Sequence, residues 1–431
     1  MDNSMTDSSH NRRDFLKGVT LSSVGLAALS AEEIVLAQAR PAATPAAARP
    51  EPVMCAVIGL GPRGREILQA LARMPGATVG AVSDTYTVPA FVRRARDIVP
   101  RAAFMEDYRR AIAMPIVRAV FVATPTHLHK QIVLDALQAG KHVYCEAPLA
   151  VDLAEARAIA QAGAAARTVF QPGLQYRTNM QHTHVYTFMR AGALGRHVGG
   201  RGQWHRKGSW KRPGPTPDRE RAINWRLRRA TSLGLPGEVG IHGMDVAAWY
   251  LRALPVAVQG FGATIQWTAD GMEVPDTVQC VLEFPRNVRF IYSATLANSF
   301  EDSYEVLYGS DCAILIKDQR AWMFKETDAP LLGWEVWARK DRIGDETGIA
   351  LIAGSTQLLA QGRSPSKEGF DVSKTALFQA CESFLNSVRT NSRPLVGALE
   401  GLRANVIAAK AHEAVTTGQR IAFQREWFEL S

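Results

Sequence analysis

Two sets of residues have the types and spacings that chemistry needs. The first is Gly59-Leu60-Gly61-Pro62-Arg63-Gly64, which follows an apolar run at 53–58 and opens a helical pattern at 63–74. Strand, glycine turn and helix are the context in which this spacing cradles a pyrophosphate. Gly59 allows the tight turn, Gly61 lets backbone approach the phosphates, and Gly64 lets the helix pack on the strand. The helix N-terminus adds free N–H groups and a partial positive charge. A second apolar run, 77–83, ends in Asp84, 20 residues after Gly64. A carboxylate there takes the adenosine ribose hydroxyls and repels a 2′-phosphate, so NAD is expected in preference to NADP.

The second set is Glu238, His242 and Asp245. A spacing of four puts Glu238 and His242 on one helical face, with Asp245 close to it. A neutral imidazole of ordinary pKa near 6.5 can take a proton and return it. Three further clusters, Gln175-Tyr176-Arg177, Gln203-Trp204-His205-Arg206 and Asn224-Trp225-Arg226, offer aromatic faces and many hydrogen-bonding groups. That combination suits a sugar. His127 and His129 lie two apart, as do His182 and His184. No cysteine or acid set completes a metal site around either pair, and no metal is expected. There is no GxSxG, so serine hydrolase chemistry has no support.

The elements that must position these residues follow from hydrophobic pattern. Strands at 53–58, 77–83, 102–105, 117–123, 142–145 and 169–175 alternate with helices at 63–74, 88–98, 108–113, 127–139 and 152–165. Such alternation predicts a parallel, doubly wound sheet, which binds ligands at the carboxyl ends of its strands. Two loops stand there, Ala123-Thr124-Pro125-Thr126-His127-Leu128-His129 and Cys145-Glu146-Ala147-Pro148. Beyond residue 176 the strands at 198–206, 256–266, 277–284, 289–297, 304–308 and 313–317 predict a mostly antiparallel sheet. Helices are expected at 238–251, 347–359, 372–388 and 395–417.

The chain has 431 residues, enough for two or three domains, with a formal net charge of +9 and 21% charged residues. The basic residues are scattered, with a denser patch at 201–229, and read as a solvated surface; no nucleic-acid motif accompanies them. No apolar run reaches the ~20 residues of a membrane span. Asn11-Arg12-Arg13-Asp14-Phe15-Leu16-Lys17 resembles a twin-arginine export motif, followed by an apolar segment and the small-x-small site Ala37-Gln38-Ala39. Residues 1–39 are therefore expected to be a signal peptide, with the mature protein periplasmic or secreted. Residues 40–52, rich in Ala and Pro, are expected to be a linker. The five cysteines show no CxxC and no regular spacing, which predicts buried thiols.

The GLGPRG turn, Asp84, ATPTHLH and GKHVYCEAP, in this order, resemble the Gfo/Idh/MocA oxidoreductase family over about residues 53–428. The resemblance implies an N-terminal Rossmann dinucleotide-binding domain at 53–175 and a C-terminal α+β domain at 176–431 with an open, mostly antiparallel sheet. It implies homo-oligomers formed through that sheet. It implies cofactor contacts from Gly59, Leu60, Gly61, Pro62, Arg63, Gly64, Asp84, Thr124, Pro125, His129 and Glu146. It assigns catalysis to His242 and Glu238, and substrate contacts to Tyr176, Arg177, His205, Trp225, Arg226 and Asp245. The family's Glu-Lys-Pro motif reads Glu146-Ala147-Pro148 here, so its proton-handling lysine is missing. The implied activity is a nicotinamide-dependent oxidation of a carbohydrate or polyol hydroxyl. Outside the cytoplasm a bound cofactor must be regenerated in place. Some family members are NAD-dependent glycosidases that oxidise, eliminate, hydrate and reduce within one cycle, and the missing lysine is compatible with that alternative. A third reading is a sugar-binding protein that kept the fold without the chemistry.

Overall fold

The computed structural model describes residues 52–354 and 374–430, which belong to one compact unit. The segment expected to direct export and the linker up to residue 51 lie outside the described residues.

The first layer is built from β1 (Val53–Ile58), α1 (Pro62–Ala72), β2 (Ala77–Ser83), α2 (Pro89–Arg96), β3 (Ala103–Met105), α3 (Tyr108–Ile112), β4 (Ala119–Val122), α4 (His129–Gln138), β5 (His142–Cys145), α5 (Leu153–Ala165) and β6 (Phe170–Pro172). The strands pair in parallel in the order β3-β2-β1-β4-β5-β6. Apolar side chains fill both faces of β1 and β4, as helices on both sides of a parallel sheet require. Strand order reverses between β1 and β4, and that switch point opens the ligand crevice.

The chain continues through α6 (Met180–Arg190), β7 (His197–His205), α7 (Pro217–Ile223), α8 (Gly234–Glu238), α9 (Gly240–Leu251), β8 (Ala257–Ala263), β9 (Thr277–Phe284), β10 (Val288–Thr295), β11 (Ser303–Gly309), β12 (Cys312–Lys317), β13 (Arg320–Lys325), β14 (Lys340–Ile343), β15 (Glu346–Leu351), α10 (Ala376–Thr390), α11 (Ala398–Thr417) and β16 (Ile421–Ala422). Its sheet runs β14-β15-β13-β12-β11-β7-β10-β9-β8-β16. Within this sheet, among the described residues, only β7 and β10 pair in parallel. Strands β9 and β10 alternate buried and open positions, so one face is covered and the other is not. After this sheet α10 returns to the flank of the first layer. Its Phe384 ring lies 5.2 Å from Phe121 and 5.8 Å from Tyr144, between centroids.

Two expected helices change. The apolar run expected to open a helix at 347 is strand β15, paired with β13 and β14. A short apolar run carries no period that separates strand from helix, and pairing decides it. The helix expected at 238–251 breaks at Val239, which has φ −130° and ψ −39° and divides α8 from α9. Gly240, first in α9, lies so close to β10 that an added Cβ would stand 2.8 Å from the Tyr292 ring. Helix α6 was not expected, because His182, Thr183 and His184 blur its period. Its signal is the cap: Asn179 Oδ1 accepts from the backbone N–H of Gln181 and His182. All five cysteines are buried and unpaired, as their spacing predicts.

Candidate active site

The glycine turn sits at the end of β1. Gly59 has φ +92°, and an added Cβ would stand 2.6 Å from the Ala123 carbonyl oxygen. A Cβ on Gly64 would lie 1.8 Å from the Gly59 oxygen, so α1 rests directly on the turn. Gly61 differs: nothing lies within 4 Å of where its Cβ would be. It caps α1 without a side-chain hydrogen bond, and Pro62 follows in the first turn. Open space over an uncapped helix N-terminus fits a pyrophosphate. Asp84 is fixed by two backbone donors, Leu60 N at 2.8 Å to Oδ2 and Tyr86 N at 2.9 Å to Oδ1. Each oxygen keeps a lone pair for a ribose hydroxyl. Across the switch point, Thr124 Oγ1 is buried with no partner among the described residues, and Pro125 leads into the one-turn helix Thr126–Leu128. The residues present therefore fit a dinucleotide.

Arg63 is the hub of the next shell. Its Nε is 3.0 Å from Glu146 Oε1, Nη2 donates to Gln175 Oε1 at 2.9 Å, and Nη1 donates to Glu66 Oε2 at 3.1 Å. Burial raises the pKa of Glu146, and the Arg63 guanidinium opposes that rise. His242, half-buried on α9, lies against Tyr176 with ring centroids 5.6 Å apart. Burial, and then the Arg63 charge, push the His242 pKa down to about 3, so the ring is neutral. Its Nδ1 is buried without a partner among the described residues. Tyr176 stacks on His182 at 4.4 Å, and His182 Nε2 is 3.9 Å from Glu305. Behind this wall lies a cavity of about 400 Å³ bordered by Arg63, Glu66, Tyr176, His182, Glu305 and Lys317. Sequence reading missed His182 and Glu305 as neighbours of this site. They come from separate elements, and only the packing brings them together.

Glu238 stands apart from His242 because of the break at Val239. Its carboxylate is nearly fully buried and accepts from Ser232 Oγ at 3.2 Å and, weakly, from Thr126 Oγ1 at 3.4 Å. Arg226 Nε is 3.6 Å away. Burial raises the Glu238 pKa and Arg226 opposes it. Arg226 also lies over the Trp225 ring at 4.3 Å, and Trp225 faces His127 at 6.3 Å between centroids. Trp225 and Arg226 thus meet the loop after β4, and Glu238 ties that loop to α8. Ala147 packs with Leu174, Ile241 and Val396.

Four residues expected to contact cofactor or substrate have partners within the protein. Arg177 and Asp245 spend their charges on each other in a buried two-point pair, Nε to Oδ2 at 2.8 Å and Nη2 to Oδ1 at 2.9 Å. His205 lies on the uncovered face of β7, its Nε2 3.1 Å from Ser293 Oγ, whereas Gly200 and Gly202 mark the covered face. His129 is 1% exposed, with Nε2 2.9 Å from the Thr124 oxygen and Nδ1 3.0 Å from the Pro148 oxygen. It lies between the two loops, the single N–H of its neutral ring donating to one of these oxygens, and presents no nitrogen to the crevice.

Residues 53–174 match the family described as "Oxidoreductase family, NAD-binding Rossmann fold". Residues 182–314 match its "GFO/IDH/MocA C-terminal domain". Together the two stretches take in more than half of the chain. An inositol 2-dehydrogenase of Rubrobacter xylanophilus is 33% identical over 206 residues, 47% of this chain and 53% of that protein. A levoglucosan dehydrogenase of Pseudarthrobacter phenanthrenivorans is 30% identical over 144 residues, 33% and 35% of the respective chains. The matched stretch thus spans from about a third to about half of these relatives' lengths. The solved structure of levoglucosan dehydrogenase in complex with NADH and levoglucosan has the same fold, with TM-score 0.70 at 19% identity over 86% of this chain and 99% of that one. The two matched domains, in this order and with this geometry at their junction, place the chain in the GFO/IDH/MocA oxidoreductase family, its first domain being the family's NAD-binding Rossmann fold.

Proposed function

We propose that the protein is an NAD-dependent oxidoreductase acting on a hydroxyl-bearing carbon of a carbohydrate or polyol, with the cofactor held tightly and recycled in place. The observation that carries this reading is the placing of His242 against Tyr176, near the Arg63–Glu146 pair and beside a cradle shaped for a dinucleotide. When bound, NAD supplies the hydride acceptor. The protein supplies the rest. His242 takes the hydroxyl proton, Arg63 holds positive charge near the oxygen that loses it, and Tyr176 fixes the imidazole. The dehydrogenases of inositol and levoglucosan among the relatives point to a polyhydroxylated ring as substrate.

The test is to extract and quantify bound NAD, then offer the protein polyols, aldoses and aryl glycosides while following cofactor absorbance. A general base contributes typically ~10²–10⁴-fold, so His242→Ala should lose that much activity and still retain NAD. Full activity in this variant removes His242 from the reaction. Release of an aglycone with no net change in cofactor would replace net oxidation by the redox-neutral cycle.

Two further parts of this reading concern setting. Residues 1–39 direct export by the twin-arginine route; processed protein in the periplasm after Arg12→Lys with Arg13→Lys would refute this. Phe261, Ile291 and Tyr308 are exposed on the uncovered face of the second sheet, and that face joins copies of the chain. A monomer by sedimentation would refute this.

A further inference from the structure

The loop between β7 and α8 carries the basic patch, and it is not a free surface loop. Asn224, buried, holds Arg212 at both backbone groups, accepting from its N–H and donating to its carbonyl oxygen, each at 2.8 Å. Thr231 Oγ1 donates to the Trp225 oxygen at 2.6 Å. From this base the loop makes two separate contacts with the first domain. Arg219, in α7, places its guanidinium 3.8 Å from the centroid of Tyr86, which in turn meets Phe91 edge to face at 5.1 Å. Tyr86 is the residue whose N–H fixes Asp84, so this contact marks the adenosine end. Trp225 and Arg226 contact His127 and, through Glu238, Thr126 in the loop after β4.

Those contacts lie at the ends of β2 and β4. In this sheet β1 stands between β2 and β4. A segment joining the ends of those two strands must cross the end of β1, where the glycine turn lies. The length agrees. Helix α7 covers four of the six steps from 219 to 225, ~6 Å at 1.5 Å each, and the last two residues, at up to ~3.3 Å each, extend the reach past the ~9.6 Å of two strand spacings.

We propose that the segment from Arg219 to Arg226 is a strap across the dinucleotide groove, and that the Arg219–Tyr86 stack latches it at the adenosine end, so that bound cofactor leaves slowly. This rests on the NAD reading above and deepens it. It supplies a physical reason why a cofactor would stay through repeated turnovers. Pro217 and Thr216, which cap α7, hold the strap in helical form, and Thr216 Oγ1 accepts from the Arg219 N–H at 3.2 Å.

The experiment measures NADH binding by its fluorescence, first at equilibrium and then as a dissociation rate after mixing with excess NAD. Loss of a partly desolvated cation–π contact is worth about tenfold in rate. Arg219→Ala should therefore speed NADH release about tenfold, and Arg219→Lys, which keeps a cation, should recover part of that. Tyr86→Ala combined with Arg219→Ala should release no faster than Tyr86→Ala alone. Arg228→Ala, which loses only the Glu273 pair on the loop's exterior, should leave the rate unchanged. A release rate in Arg219→Ala within about twofold of the parent overturns the latch, as does equal acceleration in Arg228→Ala. A parent protein that binds no NADH in the equilibrium titration overturns the NAD reading itself, and the strap with it.

Discussion

In the proposed reaction His242 takes the hydroxyl proton, and its surroundings impose its protonation state. An exposed imidazole gains its proton near pH 6.5. Here burial disfavours the charged ring, and the Arg63 guanidinium adds repulsion, so the pKa falls to about 3. The proton-accepting form then persists far below neutrality. A nuclear magnetic resonance titration, with the His242 signals assigned by their loss in His242→Ala, should show no midpoint between pH 5 and 7. Arg63→Gln removes the second cause and should raise the midpoint without restoring it to 6.5, since burial remains. A midpoint near 6.5 in the parent protein would mean that His242 is solvated, and the base would then lack its enforced neutrality.

At the scale of elements, the site depends on how the turn after β6 is joined to α9. Tyr176 and Gln175 belong to the one-turn helix Gln175–Thr178, and His242 belongs to α9. The Arg177–Asp245 pair ties these two elements together in a place where both side chains are largely buried. Removing one partner of such a pair leaves an uncompensated charge and costs ~3–5 kcal/mol, whereas replacing both with apolar groups of similar volume is often neutral. Asp245→Ala should therefore lower stability in urea by about that amount, and Arg177→Met with Asp245→Leu should recover most of it. If Asp245→Ala costs under about 1 kcal/mol, the pair does not fasten the elements. In a stable double variant the His242 ring should still lie against Tyr176, because apolar packing replaces the ion pair across the same gap.

For the molecule as a whole, buried neutral histidines set an acid limit. His129 is held at about 4 by burial, although its carbonyl neighbours favour the proton; His412 is likewise held at about 4 by burial, with Arg229 adding to it. In the unfolded chain both return to about 6.5. The unfolded state therefore binds more protons between about pH 6.5 and 4, and stability falls as pH drops through that window. The slope is ~1.4 kcal/mol per pH unit for each such histidine. Unfolding midpoints in urea should be highest above pH 7 and decline toward pH 4.5. His129→Gln should flatten the decline, because glutamine holds a hydrogen bond to a carbonyl oxygen without titrating. A midpoint independent of pH from 7 to 4.5 would show that these rings are charged in the folded protein. His129 is suited to this role because it lies between the loop after β4 and the loop after β5, the two edges of the crevice.

The sequence by itself determined the first domain and the outline of the second. Period-2 and period-3.6 patterns are local, so β1, β2, β5 and β9 end where their apolar runs end. Gly59 and Gly64 could be read as well, because a missing side chain at a fixed spacing is a local property with one steric use. The five buried thiols followed from the absence of any paired spacing. What the tertiary structure decided is which polar groups meet. Arg177 and Asp245 are 68 residues apart and cancel each other; no pattern along the chain shows that. The break at Val239 separates Glu238 from His242, and the Gly240 that follows it rests against Tyr292, a residue of a strand more than 40 positions on. His205 falls on the far face of its sheet through the pairing of β7 with β10. Arg219 reads as one charge in a basic patch until folding sets it on Tyr86. Secondary structure is written in neighbouring residues, whereas the partner of a charge is chosen by the path of the whole chain.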